Sequence, residues 1–322
     1  YIGQAHAVYP LNERWKLQAG GKASFVAIDN TAGYMRPSVS GWLPDGSLGS
    51  RFVYDENMNA AYLQAGYETD RLKLTAGLRL EHTRVYGDFG GNTVQKDSSF
   101  TTNYLHLFPT LSLQYNGASN HTFQFSYGRR ITRPNYNDLN PFTYIFDEYT
   151  HEGGNTKLHP SFSDNMELAY VYRGWLQTVF FCSRTEDAIM KSYQERENQC
   201  IYVIPENISS YTQTGIRVHA ANLELASFWK MNLTAIGMYN DYHWTEQGNK
   251  LKNRMFTPIF SSINQFTFTP SWSAELSASY NGRMAYGQAT VHPAFEMNVG
   301  IRKKVFRGKG SVTLFAKDIF DT

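Results

Sequence analysis

Hydrophobic and polar residues alternate with a period of two along most of this chain. In "WKLQAGGKASF", Trp15, Leu17, Ala19, Ala23 and Phe25 share one face, and Lys16, Gln18, Lys22 and Ser24 share the other. "LKLTAGLRLEH" sets Leu72, Leu74, Ala76, Leu78 and Leu80 against Lys73, Thr75, Arg79 and Glu81. "LHLFPTLSLQY", "WSAELSASYNGR" and "FEMNVGIRK" repeat the pattern, and a helical period is absent. Side chains of a strand point to opposite faces in turn, so each segment reads as a strand with one apolar and one polar face. The chain is expected to be all-β.

The connections carry as much information as the strands. Tight turns are predicted at "PLNE", "ETDR", "NGASN", "YRGW", "ASFW", "PSW" and "RGKG". Between them lie segments that read as long and irregular: 30–50, 87–102, 134–162, 192–208, 243–257 and 286–292. Short and long connections alternate, which in a meander collects all short turns at one end. Outer-membrane barrels sort their connections in this way, with short periplasmic turns and long extracellular loops. Trp15, Trp175, Trp229 and Trp272 fall at or just after short turns, where an interfacial aromatic belt belongs. The expectation is a transmembrane antiparallel up-and-down β-barrel with about fourteen strands in this chain. The alternative is a soluble β-sandwich, possible because the face pattern alone serves either architecture.

A sheet in lipid must close, since an open edge leaves unpaired backbone groups in hydrocarbon. The chain begins mid-pattern and runs to "SVTLFAKDIFDT" without an obvious closing strand, so residues 1–322 are expected to be part of a larger barrel.

Composition narrows the function. The 22 Tyr and 21 Phe, with only 18% charged residues and a net charge of +2, give no polyanion-binding surface, so nucleic acid is not an expected partner. No window reaches the roughly 20 apolar residues of a transmembrane helix. The opening "YIGQAHAVYP" lacks the basic and apolar regions of a signal peptide. Cys182 reads as mid-strand and Cys200 as near a loop, so no disulfide between them is expected. "GGKAS" (20–24) lies inside a strand and is no phosphate loop, and no nucleophile elbow or Cys-x-x-Cys pair appears. Asp147, Glu148, His151 and Glu152 in "FDEYTHEGG" could hold a cation, but they lack a recognisable ligand loop and read as a solvated loop tip. No cofactor, metal or catalytic residue is expected.

One stretch is specific. "RRITRPNYNDLNPF" (129–142), followed by "GGNTKLHPSFSDNMELAYVY" (153–172), resembles the barrel domain of TonB-dependent outer-membrane receptors, particularly the Bacteroidetes-type outer-membrane β-barrel family. The matching positions are Arg130, Arg133, Pro134, Leu139, Asn140, Pro141, Phe142, Gly154, Asn155, Leu158, Pro160, Glu167 and Leu168. Thr156 and Ser161 depart, standing where the family has Pro and Glu. "YPLNERWKLQAGGKAS", "NAAYLQAGYE" and the closing "KDIFDT" extend the similarity over most of the chain. The resemblance implies a barrel of about 22 strands with a plugged lumen, whose plug domain, TonB box and closing strands lie outside this chain. It implies localisation in the outer membrane of a Gram-negative bacterium, contact with outer-membrane lipid, and coupling to the TonB complex through the N-terminal region. A surface lipoprotein or another outer-membrane subunit is a further possible partner.

Candidate substrate contacts follow from face and position. Arg79, Glu81, Arg130, Glu167, Arg184, Glu275, Arg283 and Arg302 read as lying on polar, lumen-facing positions. Arg133, Tyr136, Phe142, Tyr144 and Trp244 belong to the extracellular loops, with Tyr34, Trp42, Tyr149 and Tyr242. The charges serve equally to line a wet interior and hold a plug by ion pairs, and the aromatics to pack the loops on one another. The expected function is import of a large scarce nutrient such as a siderophore, oligosaccharide or peptide. A non-transporting barrel serving as a structural or partner-binding subunit is the alternative, and a soluble carbohydrate-binding sandwich a more distant one.

Overall fold

A computed structural model describes residues 1–93, 95–147, 149–196, 200–246 and 249–321. Fourteen strands follow one another around a single sheet, each antiparallel to the next. They are β1 (Ile2–Pro10), β2 (Trp15–Ser38), β3 (Gly41–Glu68), β4 (Leu72–Phe89), β5 (Ser98–Asn116), β6 (His121–Thr132), β9 (Ser161–Tyr172), β10 (Leu176–Arg196), β11 (Cys200–Ala226), β12 (Trp229–Glu246), β13 (Asn249–Thr267), β14 (Trp272–Asn281), β17 (Ala294–Val305) and β18 (Gly310–Ala316). After β6 come a single helical turn α1 (Tyr136–Leu139) and a small hairpin, β7 (Thr143–Ile145) and β8 (Thr150–Gly153), whose second strand runs parallel to the start of β11. A separate hairpin, β15 (Met284–Tyr286) and β16 (Ala289–Val291), connects β14 to β17. One sheet wound in sequence order has no second sheet to face, which rules out the sandwich.

The register shows why the sequence alternates. Leu74, Leu113, Phe125, Leu168, Phe180 and Ile216 stand opposite one another across six successive strands, forming an apolar row on the outer face. Most of this row is open, as a lipid-facing surface must be. Four residues nearer the long-connection end the same face carries Arg129, Asp164, Arg184 and Thr212, then Asp241 and Arg254. This charged row ends the apolar band. On the inner face Gly77, Thr110, Gly128, Asn165, Ser183, Gln213 and Asn240 form an equivalent polar row.

Three segments expected to be irregular loops are paired ladder instead. β2 and β3 run as a hairpin up to Ser38 opposite Gly41, β10 and β11 up to Arg196 opposite Cys200, and β12 and β13 up to Glu246 opposite Asn249. Above the bilayer both faces meet water, so the ladder continues on backbone hydrogen bonds after the apolar alternation has stopped. Segment 286–292 likewise contains a hairpin strand. The rim is uneven: β3 and β11 have 28 and 27 residues, whereas β14 and β17 have 10 and 12.

A hydrophobic core lies above the band, on the inner side. Phe52, Tyr54, Val85 and Phe89 from β3 and β4 pack against Leu139, Phe142 and Leu158 of segment 133–160. β5 meets β6 only from Thr110 to Asn116, and above that point the segment following β6 tucks inside the wall. Phe162 packs there at a tilt against His106 of β5, with ring centroids 4.4 Å apart.

Candidate substrate-binding lumen and rim

The connection after β6 is built around its own short-range bonds. Asn135 caps α1 by accepting the N–H of Asp138, while Asp138 accepts the N–H of Asn135. Asn140 is fully buried: its Oδ1 accepts the N–H of Phe142 at 3.2 Å and its Nδ2 donates to the Tyr136 hydroxyl at 3.3 Å. The N–H of Gly154 donates to the Asn140 carbonyl, and a Cβ at Gly154 would come within 2.2 Å of that oxygen. Only glycine fits this approach. Asn155 Nδ2 donates to the Pro205 carbonyl, and Asn207 bonds both ways with the backbone of His159, strapping the segment to β11. The family-matching positions Asn140, Gly154 and Asn155 therefore build the loop's own interior.

Arg133 leaves the end of β6 and reaches Glu81 on β4, donating from Nη2 to the carboxylate and, at 3.3 Å, to the Thr83 hydroxyl. Arg79 Nε lies 2.5 Å from the other oxygen of Glu81. Glu81 is 7% exposed, so a single charge is held between two guanidinium groups. Two hollows open below this cluster. One, of about 490 Å³, is lined by Tyr62, Gln64, Gly77, Arg79, Thr110 and Arg130. The other, of about 380 Å³, adjoins it through Arg130 and Thr110 and reaches Ser112, Asn165 and Glu167. Arg130 and Glu167 stand on the inner face and are solvent-accessible, with no ion pair among the described residues. Glu275 is also on the inner face, accepting from Gln265 at 3.3 Å.

The other predicted residues separate. Arg184 is not in the lumen: it pairs across the ladder with Asp164 and shares its face with Phe180, so it points outward, 3.5 Å from Glu186. Phe142 is 3% exposed and packs edge-on against Phe89, making it a core residue instead of a rim contact. Arg283 lies beyond the end of β14, and its carbonyl accepts from the Thr257 hydroxyl at 3.0 Å. Tyr136 packs tilted against Phe52 and edge-on against Tyr54, and burial pushes its phenol above the usual tyrosine range. Tyr144 is exposed on β7. Trp244 is half-buried on β12, and its indole N–H has no partner among the described residues. Glu148 lies outside the described residues. Glu152 is engaged by Lys191 at 2.7 Å, and Asp147 accepts from the backbone of Tyr149.

A second inner cluster lies on β11 to β13, and of its members the sequence singled out only Tyr242, as a loop aromatic. Tyr211 and Tyr242 stack at 4.3 Å with planes 11° apart. Beside them Gln213 donates to Asn240, and Asn240 to Thr257, within 3.4 Å. The hairpin β15–β16 folds over this cluster, tied down by Asn253 Nδ2 to the carbonyls of Gly287 and Ala289. Alternation predicts polarity for these positions but not their mutual burial.

The wall, its lipid-facing band and its polar interior now have a family. The whole chain, residues 1–322, matches the model of the outer membrane protein beta-barrel family, and the protein belongs to that family of outer-membrane proteins. Solved structures agree in fold. The ferric yersiniabactin uptake receptor FyuA from Yersinia pestis superposes with a TM-score of 0.71 at 14% identity, over 100% of this chain and 49% of that one. The copper transporter OprC gives 0.71 at 14% identity over 100% and 50%. The ferric-catecholate import receptor Fiu from E. coli K12 gives 0.66 at 14% identity over 100% and 50%. The chain thus spans about half the length of these receptors. No curated protein matches the sequence.

Proposed function

We propose that this chain is the larger part of the barrel of a TonB-dependent outer-membrane transporter, which imports a large nutrient too scarce to enter by diffusion. The complete barrel would have about 22 strands around a plug domain, with coupling to TonB through a segment outside residues 1–322. The observation that carries this reading is the pair of adjoining hollows on the inner face, where Arg130 and Glu167 are accessible and uncommitted. Ligand sites combine concave apolar surfaces with a few convergent polar groups, and here the Arg79–Glu81–Arg133 cluster stands above them. Half-exposed aromatics at the rim, Tyr144 and Trp244, would make the first contact with cargo. FyuA and Fiu are named as uptake receptors for iron complexes and OprC as a copper transporter, which supports import as the class of activity. A siderophore, oligosaccharide or peptide fits these features.

The test is growth of a deletion strain on defined nutrients, complemented by the full-length protein. Loss of one nutrient's uptake, restored by the wild type and reduced by Arg130→Ala or Glu167→Gln, supports import. Unimpaired uptake of every nutrient, with loss of a co-purifying outer-membrane assembly, points to a structural subunit.

A further inference from the structure

We infer that the short turn between β17 and β18 is a binding site for anionic phospholipid headgroups of the periplasmic leaflet. Between Arg302 and Lys317 the sequence has six cations and no carboxylate. Four of them, Lys303, Lys304, Arg307 and Lys309, are exposed at this turn. None has a carboxylate within ion-pair distance among the described residues. Other short turns hold carboxylates or a single cation: Lys73 pairs with Glu68 at 3.3 Å and Lys230 with Glu224 at 2.8 Å, Glu13 and Asp70 stand next to Arg14 and Arg71 in sequence, and the turn at 172–175 has only Arg173. The excess charge is therefore local to one turn.

Its surroundings fit a membrane interface and not open water. The Lys303 ammonium lies 4.8 Å above the ring of Trp272, which is 41% exposed and belongs to the belt of turn-proximal tryptophans. Phe306, at the turn itself, is 81% exposed, and its φ of 53° gives it a left-handed backbone. Phe268 on the neighbouring turn is also open. An exposed phenylalanine beside a tryptophan and four unpaired cations presents apolar groups to acyl chains and positive charge to phosphates. Short turns of outer-membrane barrels face the periplasm, where that leaflet supplies phospholipid phosphates. A polybasic segment gains affinity for an anionic surface with each cation and loses it as salt screens the field.

Full-length protein purified in neutral detergent is mixed with phosphatidylglycerol, cardiolipin or phosphatidylcholine, and native mass spectrometry counts the lipids retained. Phosphatidylglycerol and cardiolipin should be retained over phosphatidylcholine, less so as salt rises. The Lys303→Gln/Arg307→Gln/Lys309→Gln variant should lose this preference, about fivefold in affinity per cation. Lys73→Gln/Lys230→Gln should keep it. If the triple variant does not fold, Arg307→Gln/Lys309→Gln at the turn gives the same readout. Unchanged preference in these variants overturns the inference. So does binding of soluble glycerol phosphate as tightly as the lipids, or capture of peptidoglycan fragments without lipid preference.

Discussion

Arg133 and Glu81, separated by 52 positions in sequence, form the bond that fixes the connection after β6 to the inner face of β4. The pair is mostly screened from water, and the second oxygen of Glu81 is taken by Arg79. Arg133→Ala removes one cation and leaves the other to balance the carboxylate alone. Breaking a fully buried pair costs about 3–5 kcal/mol; with Arg79 still in place, a loss of about 1–3 kcal/mol is expected. Its signature is faster proteolysis between residues 134 and 160 while the barrel stays resistant. Arg133→Lys should restore only part of the loss, because both bonds come from Nη2 and a lysine ammonium falls one bond short of that position.

The face assignment has its own test. Ala76 and Leu113 stand on the outer face, whereas Thr75 and Ser112 line the inner hollow. Ala76→Arg or Leu113→Arg should cost about 2–4 kcal/mol in reversible unfolding from lipid, and Thr75→Arg or Ser112→Arg much less. Equal costs on both faces would mean the lipid face is misassigned.

Asn240 is 1% exposed and links Gln213 to Thr257 across three strands. Asn240→Leu keeps the volume but strands two polar partners beneath the β15–β16 hairpin. The expected loss is about 1–3 kcal/mol, and hydrogen exchange should quicken in residues 284–291. Exchange unchanged there would mean the hairpin does not depend on this network.

Cys182 and Cys200 are both free thiols on different parts of β10 and β11. Cys182 faces outward opposite Met166 and Thr214, within the apolar band, and Cys200 starts β11 at the rim. A membrane-impermeant maleimide applied to intact cells should label Cys200 alone. Denatured protein should take two labels without prior reduction.

What was legible in the sequence follows from what the environment demands of each residue. In the lower half of the wall lipid requires an apolar side chain at every second position, so faces, turns and strand count could be read directly. The turn tryptophans were legible for the same reason. Above the charged row no such demand exists, and the paired ladders at 30–50, 192–208 and 243–257 looked irregular. Arg184 was misplaced because its charge suggested the lumen, although its parity with Phe180 already put it outside. Phe142 and Tyr136 read as rim aromatics in the sequence because their partners, Phe89 and Phe52, lie far away along the chain. The Tyr211–Tyr242 stack and the Asn240 network depend on side chains of neighbouring strands meeting beneath a hairpin, which alternation within one strand does not encode.

The parting of β5 from β6 above Thr110 gives the wall a seam. Within the lipid-facing band β2 to β17 are held along both sides, so sliding or bending one strand there disturbs two ladders. From Ser98 to Pro109, β5 has a ladder only with β4, and side-chain packing on Phe162 and the inward-tucked connection does the rest. Side-chain packing yields more readily than a ladder, so the wall is compliant here, beside both hollows. A bulky occupant of the lumen would find its room by pressing this strand outward.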